Sequence, residues 1–405
     1  MSDFKHINLS NLPSGWKAEH FGRLVAFLMG KTPPRNQKKF WNEGRYSWVS
    51  IADMTPFGTV RETKESVSEE AHNTVFRRAL VPRGSLLMSF KLTVGRVSRL
   101  AIPAYHNEAI ISFRPDPEKL DPSYLAYHLG QIDYRDYQDT AVKGQTLNKG
   151  KLAALEIVLP PLPEQRKIAG VLGLVQRAME QQERLLARTA ELKKALLHHL
   201  FTHGLRHEPQ KQTEIGPIPQ SWVVMKFEEF ALLKRGFDLP RSEFRDGPYP
   251  VIGATTTIGY HDTSTVKGPG VTVVRSGSSA GKPQFIAGDF WAHNVVLFVK
   301  DFHGHNPKFV YYKIQHLDLT KYREGVAVPT LNRNSFRLIP VAIPQRDEQD
   351  EFVSILDALE AKESVHRRMH SALCGLFRTL LHELMTARLR VHHLDLPELE
   401  TATKD

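Results

Sequence analysis

The chain has 405 residues, of which 41% are apolar, so it exceeds what one hydrophobic core usually organises and predicts at least two domains. No apolar run reaches the roughly 20 residues of a membrane-spanning helix, and the single cysteine, Cys374, excludes an internal disulfide or a cysteine-based zinc site. The sequence therefore indicates a cytoplasmic protein with no membrane contact. Its 54 Lys and Arg against 44 Asp and Glu favour a polyanionic partner such as nucleic acid.

The first segment, Leu12 to Arg35, is repeated as Ile218 to Arg241, 206 residues later. Six of the 24 aligned positions are identical, where roughly 6% identity per position is expected by chance. The identical pairs are Pro13/Pro219, Trp16/Trp222, Phe21/Phe227, Gly30/Gly236, Pro34/Pro240 and Arg35/Arg241. The chain is therefore an internal duplication.

Strands are predicted where β-branched residues are bounded by glycine and proline. In the first copy these are 86–89 and 109–113, and in the second copy 249–259, 270–275 and 295–299. Asp121-Pro122 and Asn306-Pro307 each place a side-chain cap before a proline, which predicts the start of a helix.

A second repeated block closes each copy. Thr146 to Gln165 matches Thr330 to Gln349 at an offset of 184, with six of 20 positions identical. Gly95 pairs with Gly281 at an offset of 186, so one insertion of about 20 residues is expected between Arg35 and Gly95.

Each closing block leads into a long segment with apolar residues at alternating spacings of three and four. The first such segment runs from Glu164 to about Phe201, and the second lies 184 residues later. We predict two long helices that pair as an antiparallel coiled coil, with a polar linker from Arg206 to Glu214 before the second copy. The predicted seam comprises Val171, Val175, Leu185, Leu192, Leu196, Ile355, Leu359, Met369, Leu373, Leu376 and Leu380.

The expected fold class is α+β, with two mixed α/β globules, each followed by a long helix, related by a pseudo-two-fold axis. Two-fold readers of DNA address two half-sites about one helical turn apart. Because the two globules differ in sequence, the sequence predicts a bipartite, asymmetric DNA target.

Lysine and arginine neutralise phosphates, and arginine also reads base edges. The candidate DNA-binding cations of the first copy are Lys31, Arg35, Lys38, Lys39, Arg45, Lys91, Arg96, Lys143 and Lys149. Those of the second copy are Lys234, Arg235, Arg241, Arg245, Arg275, Lys282, Lys321, Arg323 and Arg333.

Catalytic patterns are incomplete. Asp121 to Tyr124 approaches the Asp-Pro-Pro-Tyr motif of amino-methyltransferases but lacks the second proline, and the pattern favours a helix cap followed by a core aromatic residue instead. Ser276 to Pro283 resembles a phosphate-binding loop but has three residues instead of four before Gly281-Lys282. Adjacent histidines such as His198 and His199 point about 100° apart on a helix and cannot share a metal. We therefore predict no catalytic residue and no metal site.

The duplicated order of motifs resembles the specificity subunits of type I restriction-modification enzymes over nearly the whole chain. The motifs are the Pro-Xaa-Xaa-Trp entries at Pro13 and Pro219, the glycine at Gly30 and Gly236, the stretch from Tyr249, and the Thr-Leu-Asn to Glu-Gln closings. This resemblance implies target-recognition domains at 1–160 and 217–344, spacer helices at 161–205 and 345–390, a linker at 206–216 and a tail at 391–405.

The resemblance also implies the partners: double-stranded DNA, two methyltransferase subunits, and restriction subunits that translocate DNA. S-adenosylmethionine, ATP and magnesium are then expected on those partners, and no cofactor is expected on this chain. Two other functions stay open: a stand-alone DNA- or RNA-binding regulator, and a reader within a related fused restriction-methylation enzyme. Binding of S-adenosylmethionine to the isolated chain would identify the latter.

Overall fold

The computed structural model describes residues 12–91, 93–134, 139–141, 144–325 and 327–393. The chain divides into two compact units. The first unit comprises Met1–Gln181 and His370–Asp405, and the second comprises Gln182–Met369. Both long helices contribute residues to both units, so the units do not coincide with the domain boundaries expected from the sequence, which remain a prediction.

The helices alternate with short strands, as in an α+β fold. They are α1 Phe21–Leu24, α2 Glu69–Ala71, α3 Pro122–Gln131, α4 Lys149–Ala153, α5 Leu162–His203, α6 Phe227–Phe230, α7 Pro307–Leu317 and α8 Arg346–Met385. Helices α5 and α8 are the two long helices expected from the apolar periodicity.

The first unit contains twelve described strands: β1 Lys17–His20, β2 Phe27–Met29, β3 Trp41–Val49, β4 Gly58–Val60, β5 Glu65–Val67, β6 Leu86–Ser89, β7 Val97–Leu100, β8 Tyr105–His106, β9 Ile110–Phe113, β10 Asp139–Ala141, β11 Gly144–Thr146 and β12 Glu156–Leu159. They form a five-stranded sheet in the order β2-β9-β6-β7-β4, a three-stranded sheet in the order β5-β3-β8, and the pairs β1-β12 and β10-β11.

The second unit contains the remaining described strands: β13 Gln210–Thr213, β14 Gly216–Pro219, β15 Val223–Lys226, β16 Leu232–Arg235, β17 Tyr249–Ile252, β18 Thr257–His261, β19 Gly270–Val274, β20 Pro283–Ile286, β21 Trp291–Ala292, β22 Val296–Asp301, β23 Arg323–Glu324, β24 Thr330–Leu331 and β25 Pro340–Ile343. The sheet β16-β22-β19-β20 repeats the order β2-β9-β6-β7, and β18-β17-β21 repeats β5-β3-β8. The duplication in sequence is therefore a duplication of topology.

The extra length of the first copy lies in two places rather than one. Strand β4, which extends the larger sheet by pairing with β7, falls between β3 and β5, and α2 falls between β5 and β6. The extra residues thus lie between Arg35 and Gly95, as predicted, but they form two separate insertions instead of one. The predicted linker is also partly ordered, because β13 pairs with β14 in a hairpin.

The identical residues of the two copies make equivalent long-range hydrogen bonds. Gln165 Oε1 accepts from Asp121 N at 3.0 Å, and Gln349 Oε1 accepts from Asn306 N at 3.0 Å. The capping side chains of Asp121 and Asn306 in turn accept from the first backbone N–H groups of α3 and α7, as predicted. Gly30 must be glycine because an added Cβ would lie 2.2 Å from the His106 carbonyl oxygen.

The long helices run antiparallel within each unit. In the second unit, Lys193 Nζ lies 2.6 Å from Glu360 Oε1, and Gln182 Oε1 lies 2.8 Å from His366 Nδ1. In the first unit, Lys167 Nζ donates to the His392 carbonyl at 2.8 Å, close to the start of α5 and beyond the end of α8.

The predicted seam is partly wrong in register. Val175 is buried, and Val171, Leu185, Leu196, Leu359, Leu373 and Leu380 are half-buried, but the side chains of Leu192, Ile355, Met369 and Leu376 are exposed. Their neighbours are buried instead, for example Leu356 next to Ile355 and Phe377 next to Leu376. Each helix packs against a globule as well as the other helix, so the buried face differs from a heptad stripe.

Candidate nucleic-acid interface

A basic cleft of about 500 Å³ opens in the second unit. Its cations are Lys234 and Arg235 at the end of β16, Arg275 after β19, and Arg333 after β24, and we call these four residues the basic cleft. Thr330, Leu331, Asn332, Leu297 and Glu324 complete its lining. Four predicted candidates are therefore brought together by the fold.

Backbone hydrogen bonds fix the positions of these cations. Leu331 N donates to the Arg275 carbonyl at 2.7 Å, which holds the segment after β19 against β24. Arg333 Nη1 donates to the Leu233 carbonyl at 3.2 Å, which ties this guanidinium to β16. The cleft is thus built on the sheet rather than on a free loop.

The lining around the four cations of the basic cleft contains one carboxylate, that of Glu324. The Glu324 side chain accepts a hydrogen bond from Ser335 Oγ at 2.5 Å. Arg235 lies 3.3 Å from Asp238, and within the described residues Lys234 and Arg275 form no ion pair. The unpaired charges of Lys234 and Arg275 are suited to phosphate, because these two side chains have no internal ion pair to break when the anion binds.

The first copy presents a different surface at the equivalent positions. Leu28 and Met29 replace Lys234 and Arg235, and their side chains are 56% and 38% exposed. The position of Arg275 is taken by the buried Phe90, whose carbonyl accepts from Leu147 N at 3.0 Å as that of Arg275 does from Leu331 N. Only the position of Arg333 keeps a cation, Lys149. One frame therefore carries two unlike surfaces.

Three of the five predicted cations at 31–45 of the first copy form ion pairs with glutamates. Arg35 pairs with Glu65, Lys39 with Glu70, and Arg45 with Glu69. The Arg35 guanidinium also lies over the Trp41 ring, 4.0 Å from its centroid. Lys31 Nζ donates to the Val75 carbonyl at 3.1 Å, and Lys38 is exposed.

Some predicted cations have structural contacts. Arg96 Nη1 donates to the carbonyls of Ile51 and Met54 at 3.2 and 3.1 Å, and Arg323 Nε donates to the Ala280 carbonyl at 2.6 Å. Arg245 pairs with Asp262 at 3.2 Å. Lys91 lies over the Phe90 ring at 5.4 Å, whereas Lys143 lies outside the described residues. The exposed remainder comprises Lys149, Arg241, Lys282 and Lys321.

Sequence reasoning missed exposed aromatic side chains in the second unit. Tyr260 on β18 is 56% exposed and Phe237, next to the basic cleft strand β16, is 38% exposed. Aromatic residues in strands are usually core residues, so no sequence signal separates these from buried ones.

The asparagine of each Thr-Leu-Asn block is a cap: Asn148 Oδ1 accepts from Lys151 N at 2.9 Å, and Asn332 Oδ1 from Asn334 N at 3.1 Å.

Two chemical properties can be stated for the described part of the chain. It contains no group of three or more His, Cys, Asp or Glu residues arranged to hold a metal ion. It also contains no helix that is both long enough and apolar enough to cross a membrane.

The structure defines a class of protein with a duplicated α+β frame, in which one copy carries a basic cleft suited to a polyanion and the other copy carries different residues at the equivalent positions. The family model for the type I restriction modification DNA specificity domain matches residues 13–187 and again 219–371. The chain therefore belongs to this family.

Relatives and solved structures agree with this assignment. The putative type I restriction enzyme MjaX specificity subunit of Methanocaldococcus jannaschii is 26% identical over 259 residues, which cover 60% of this chain and 59% of the relative. The MjaVIII specificity subunit of the same organism is 22% identical over 250 residues, covering 60% and 55%. These alignments span less than two thirds of either relative. The type I restriction-modification S subunit from M. genitalium has the same fold, with a TM-score of 0.65, 17% identity, and coverage of 95% and 99%.

Proposed function

We propose that this chain is the DNA-specificity subunit of a type I restriction-modification complex. It binds double-stranded DNA at a bipartite, asymmetric target and is not itself the catalyst. The observation that carries the proposal is the duplicated frame with unlike surfaces: the cations Lys234 and Arg235 in one copy, and the exposed apolar side chains of Leu28 and Met29 in the other. Family membership supports the same function.

The asymmetry of the target follows from these surfaces. Charged side chains contact phosphates and guanine edges, whereas apolar side chains contact thymine methyl groups. Two copies with different residues at equivalent positions therefore select different half-sites. A symmetric target would require equivalent side chains in both.

The proposed protein partners are two methyltransferase subunits and restriction subunits that translocate DNA. S-adenosylmethionine, ATP and magnesium would be bound by those subunits in the cytoplasm. Exposed apolar side chains on the long helices support docking there: in the second unit Leu192 is 55%, Val365 47% and Met369 49% exposed. Replacing these three with serine is expected to weaken co-purification with the methyltransferase while the chain remains folded.

The test of function is to co-express the chain with its methyltransferase subunit and map modified adenines by single-molecule sequencing. We expect one two-part motif with a fixed gap and two different halves. If the chain forms no complex on a sizing column and directs no methylation, yet still binds DNA, it is a stand-alone regulator and the proposal is wrong.

A substitution in the basic cleft tests its contact with DNA. We expect the double variant Lys234→Ala/Arg275→Ala to bind its target about 10- to 100-fold more weakly, since two charged phosphate or base contacts are lost. If both cations contact phosphate, the slope of log K against log salt becomes shallower by about 1.8, because each contact contributes about 0.9. Fluorescence anisotropy across a salt series measures both quantities.

The matched control is Lys362→Ala, which removes an exposed lysine on α8 of the same unit. Its affinity and salt slope should equal those of the parent chain. Equal losses of DNA affinity in Lys362→Ala and in the double variant would show that the cations of the cleft act only through the net charge of the chain.

A further inference from the structure

The first unit contains a second cleft of about 690 Å³, which lies between β7, α3 and α5. Four arginines line it: Arg61 after β4, Arg99 on β7, and Arg166 and Arg177 on α5. We call these four residues the arginine cleft. None of them was among the predicted DNA-binding cations.

The charge of the arginine cleft is only partly neutralised by the two carboxylates of its lining, Asp121 and Glu180. Within the described residues, none of the four arginines forms an ion pair with a carboxylate. Arg99 Nη2 donates to Ser123 Oγ at 2.8 Å, and Arg166 Nη2 donates weakly to the Pro117 carbonyl at 3.4 Å. The Asp121 carboxylate caps α3 and interacts with Arg99 and Arg166 through space without an ion-pair contact, and Glu180 accepts from Gln176 Nε2 at 3.0 Å.

The wall of the cleft is held rigidly. Gln176 Nε2 donates to the Phe57 carbonyl at 2.7 Å, and Gln176 Oε1 accepts from Tyr127 OH at 2.9 Å. Phe57 adopts a left-handed backbone conformation with φ of 58°, which is costly for a bulky residue and requires support from its surroundings. The Phe57 ring packs against Tyr127 and Phe377, with centroid distances of 5.3 and 5.6 Å, and these contacts supply that support.

The shared frame does not require these arginines. At the equivalent positions of the second copy, Phe285 replaces Arg99, Asp350 replaces Arg166, and Ala361 replaces Arg177. Gly173 on α5 corresponds to Asp357, whose Oδ1 lies 2.8 Å from Lys308 Nζ. The second copy therefore has no cation at these three positions and has an acid at one of them, so the arginine cleft is a property of the first copy.

Gly173 keeps the floor of the cleft open. Glycine inside a helix costs about 1 kcal/mol relative to alanine. A Cβ at Gly173 would have ordinary contacts, 3.4 Å from Arg177 Nη1 and 3.7 Å from Tyr127 OH, so packing does not demand glycine here. The absent side chain leaves space beside the Arg177 guanidinium.

From this geometry we propose that the arginine cleft binds a phosphoryl anion. Guanidinium groups bind phosphate oxygens through paired, charge-assisted hydrogen bonds, and several of them converge here. The volume falls within the usual range for small-ligand sites, and the Ser123 and Thr59 hydroxyls add neutral donors. The phosphoryl group belongs either to a free di- or triphosphate or to a nucleic-acid backbone. This site is separate from the basic cleft and does not depend on the proposed function.

The test measures inorganic pyrophosphate binding to the full chain by titration calorimetry. We expect binding to the parent chain and at least about tenfold weaker binding to Arg166→Ala/Arg177→Ala. Gly173→Asp, which introduces the carboxylate of the second copy, should abolish binding. Gly173→Ala should retain it and serves as the folding control. Arg23→Ala, which removes an exposed arginine of the same unit, is the charge control.

The source of the anion is separated by repeating the measurement with a duplex DNA containing the target. If Arg166→Ala/Arg177→Ala weakens pyrophosphate and DNA binding together, the cleft holds a backbone phosphate. If it weakens pyrophosphate binding alone, the cleft holds a free anion. Absence of pyrophosphate binding to the parent chain, or equal binding to Gly173→Asp, would overturn the proposal.

Discussion

Arg390→Ala is expected to lower the free energy of unfolding by about 3 kcal/mol, whereas the equivalent substitution Arg206→Ala should lower it by less than about 1 kcal/mol. The two arginines occupy the same position after α8 and α5, at an offset of 184. They differ in the burial of the carboxylates that they bind. This difference determines how much each substitution is expected to lower the free energy of unfolding.

Arg390 binds a buried carboxylate. Its Nε and Nη2 lie 2.6 and 2.9 Å from the Glu164 carboxylate, whose side chain is 3% exposed. Trp16 Nε1 donates to the same carboxylate at 3.1 Å. Removal of Arg390 leaves the buried Glu164 carboxylate with the neutral Trp16 donor and with His392, whose Nδ1 lies 4.0 Å from Oε1. Loss of the close charged partner of a buried carboxylate is the costly case.

Arg206 instead binds Asp347 at 3.0 Å and Glu351 at 2.7 Å, whose side chains are 67% and 50% exposed. The counterpart of Glu164 is Glu348, and its donors are Trp222 Nε1 at 3.2 Å and Leu205 N at 2.7 Å. Arg206 does not bind the buried Glu348 carboxylate. When Arg206 is removed, water can therefore replace its contacts with the exposed Asp347 and Glu351.

Urea unfolding followed by tryptophan fluorescence measures both variants. Arg388→Ala, which removes an exposed arginine 3.8 Å from Glu383, is the control for loss of charge near Arg390. If Arg390→Ala and Arg206→Ala lower the free energy of unfolding equally, the ion pair between Arg390 and the buried Glu164 carboxylate does not contribute the stability that we expect.

The repeat could be predicted from the sequence because its identical residues are those with specific long-range partners. Trp16 and Trp222 each donate to the first glutamate of a long helix, and Gln165 and Gln349 each bind the backbone that precedes a capped helix. Such contacts tolerate few substitutions. They therefore persist in both copies and reveal the shared frame.

The proposed DNA-binding surface could be predicted only as a set of residue types. Whether a cation is available depends on side chains distant in sequence: Arg35 meets Glu65, whereas Arg275 meets no carboxylate among the described residues. The register of the long helices was missed for a similar reason. Ile355 and Leu356 are adjacent apolar residues, and only the packed globule determines which of them is buried.

Lys313→Met is expected to stabilise the second unit by about 3 kcal/mol at pH 7. Lys313 on α7 is 3% exposed, and its ammonium lies 4.9 Å from the Phe201 ring centroid and 5.9 Å from that of Trp222. No carboxylate pairs with it in the described part of the chain. Burial alone lowers the pKa of Lys313 to about 7. Its counterpart in the first copy, His128, is also buried, and burial lowers its pKa to about 4.

The pH dependence follows from the lowered pKa. The unfolded chain protonates this lysine near its ordinary pKa of about 10.4, whereas the folded chain does so near 7. Between these values the unfolded state binds more protons, so stability falls as the pH falls from about 10 to 7 and then becomes constant. Methionine has similar length and no proton to bind, so the stabilisation by Lys313→Met should be full at pH 7 and below and should disappear towards pH 10.

Urea unfolding at pH 6, 7, 8.5 and 9.5 measures this dependence. Lys321→Met, which replaces an exposed lysine of the same unit, should show no comparable gain at any pH. A gain from Lys313→Met that is equal at pH 7 and 9.5 would show that methionine improves packing only. A loss at pH 7 would show that the aromatic rings stabilise the ammonium by more than its burial costs.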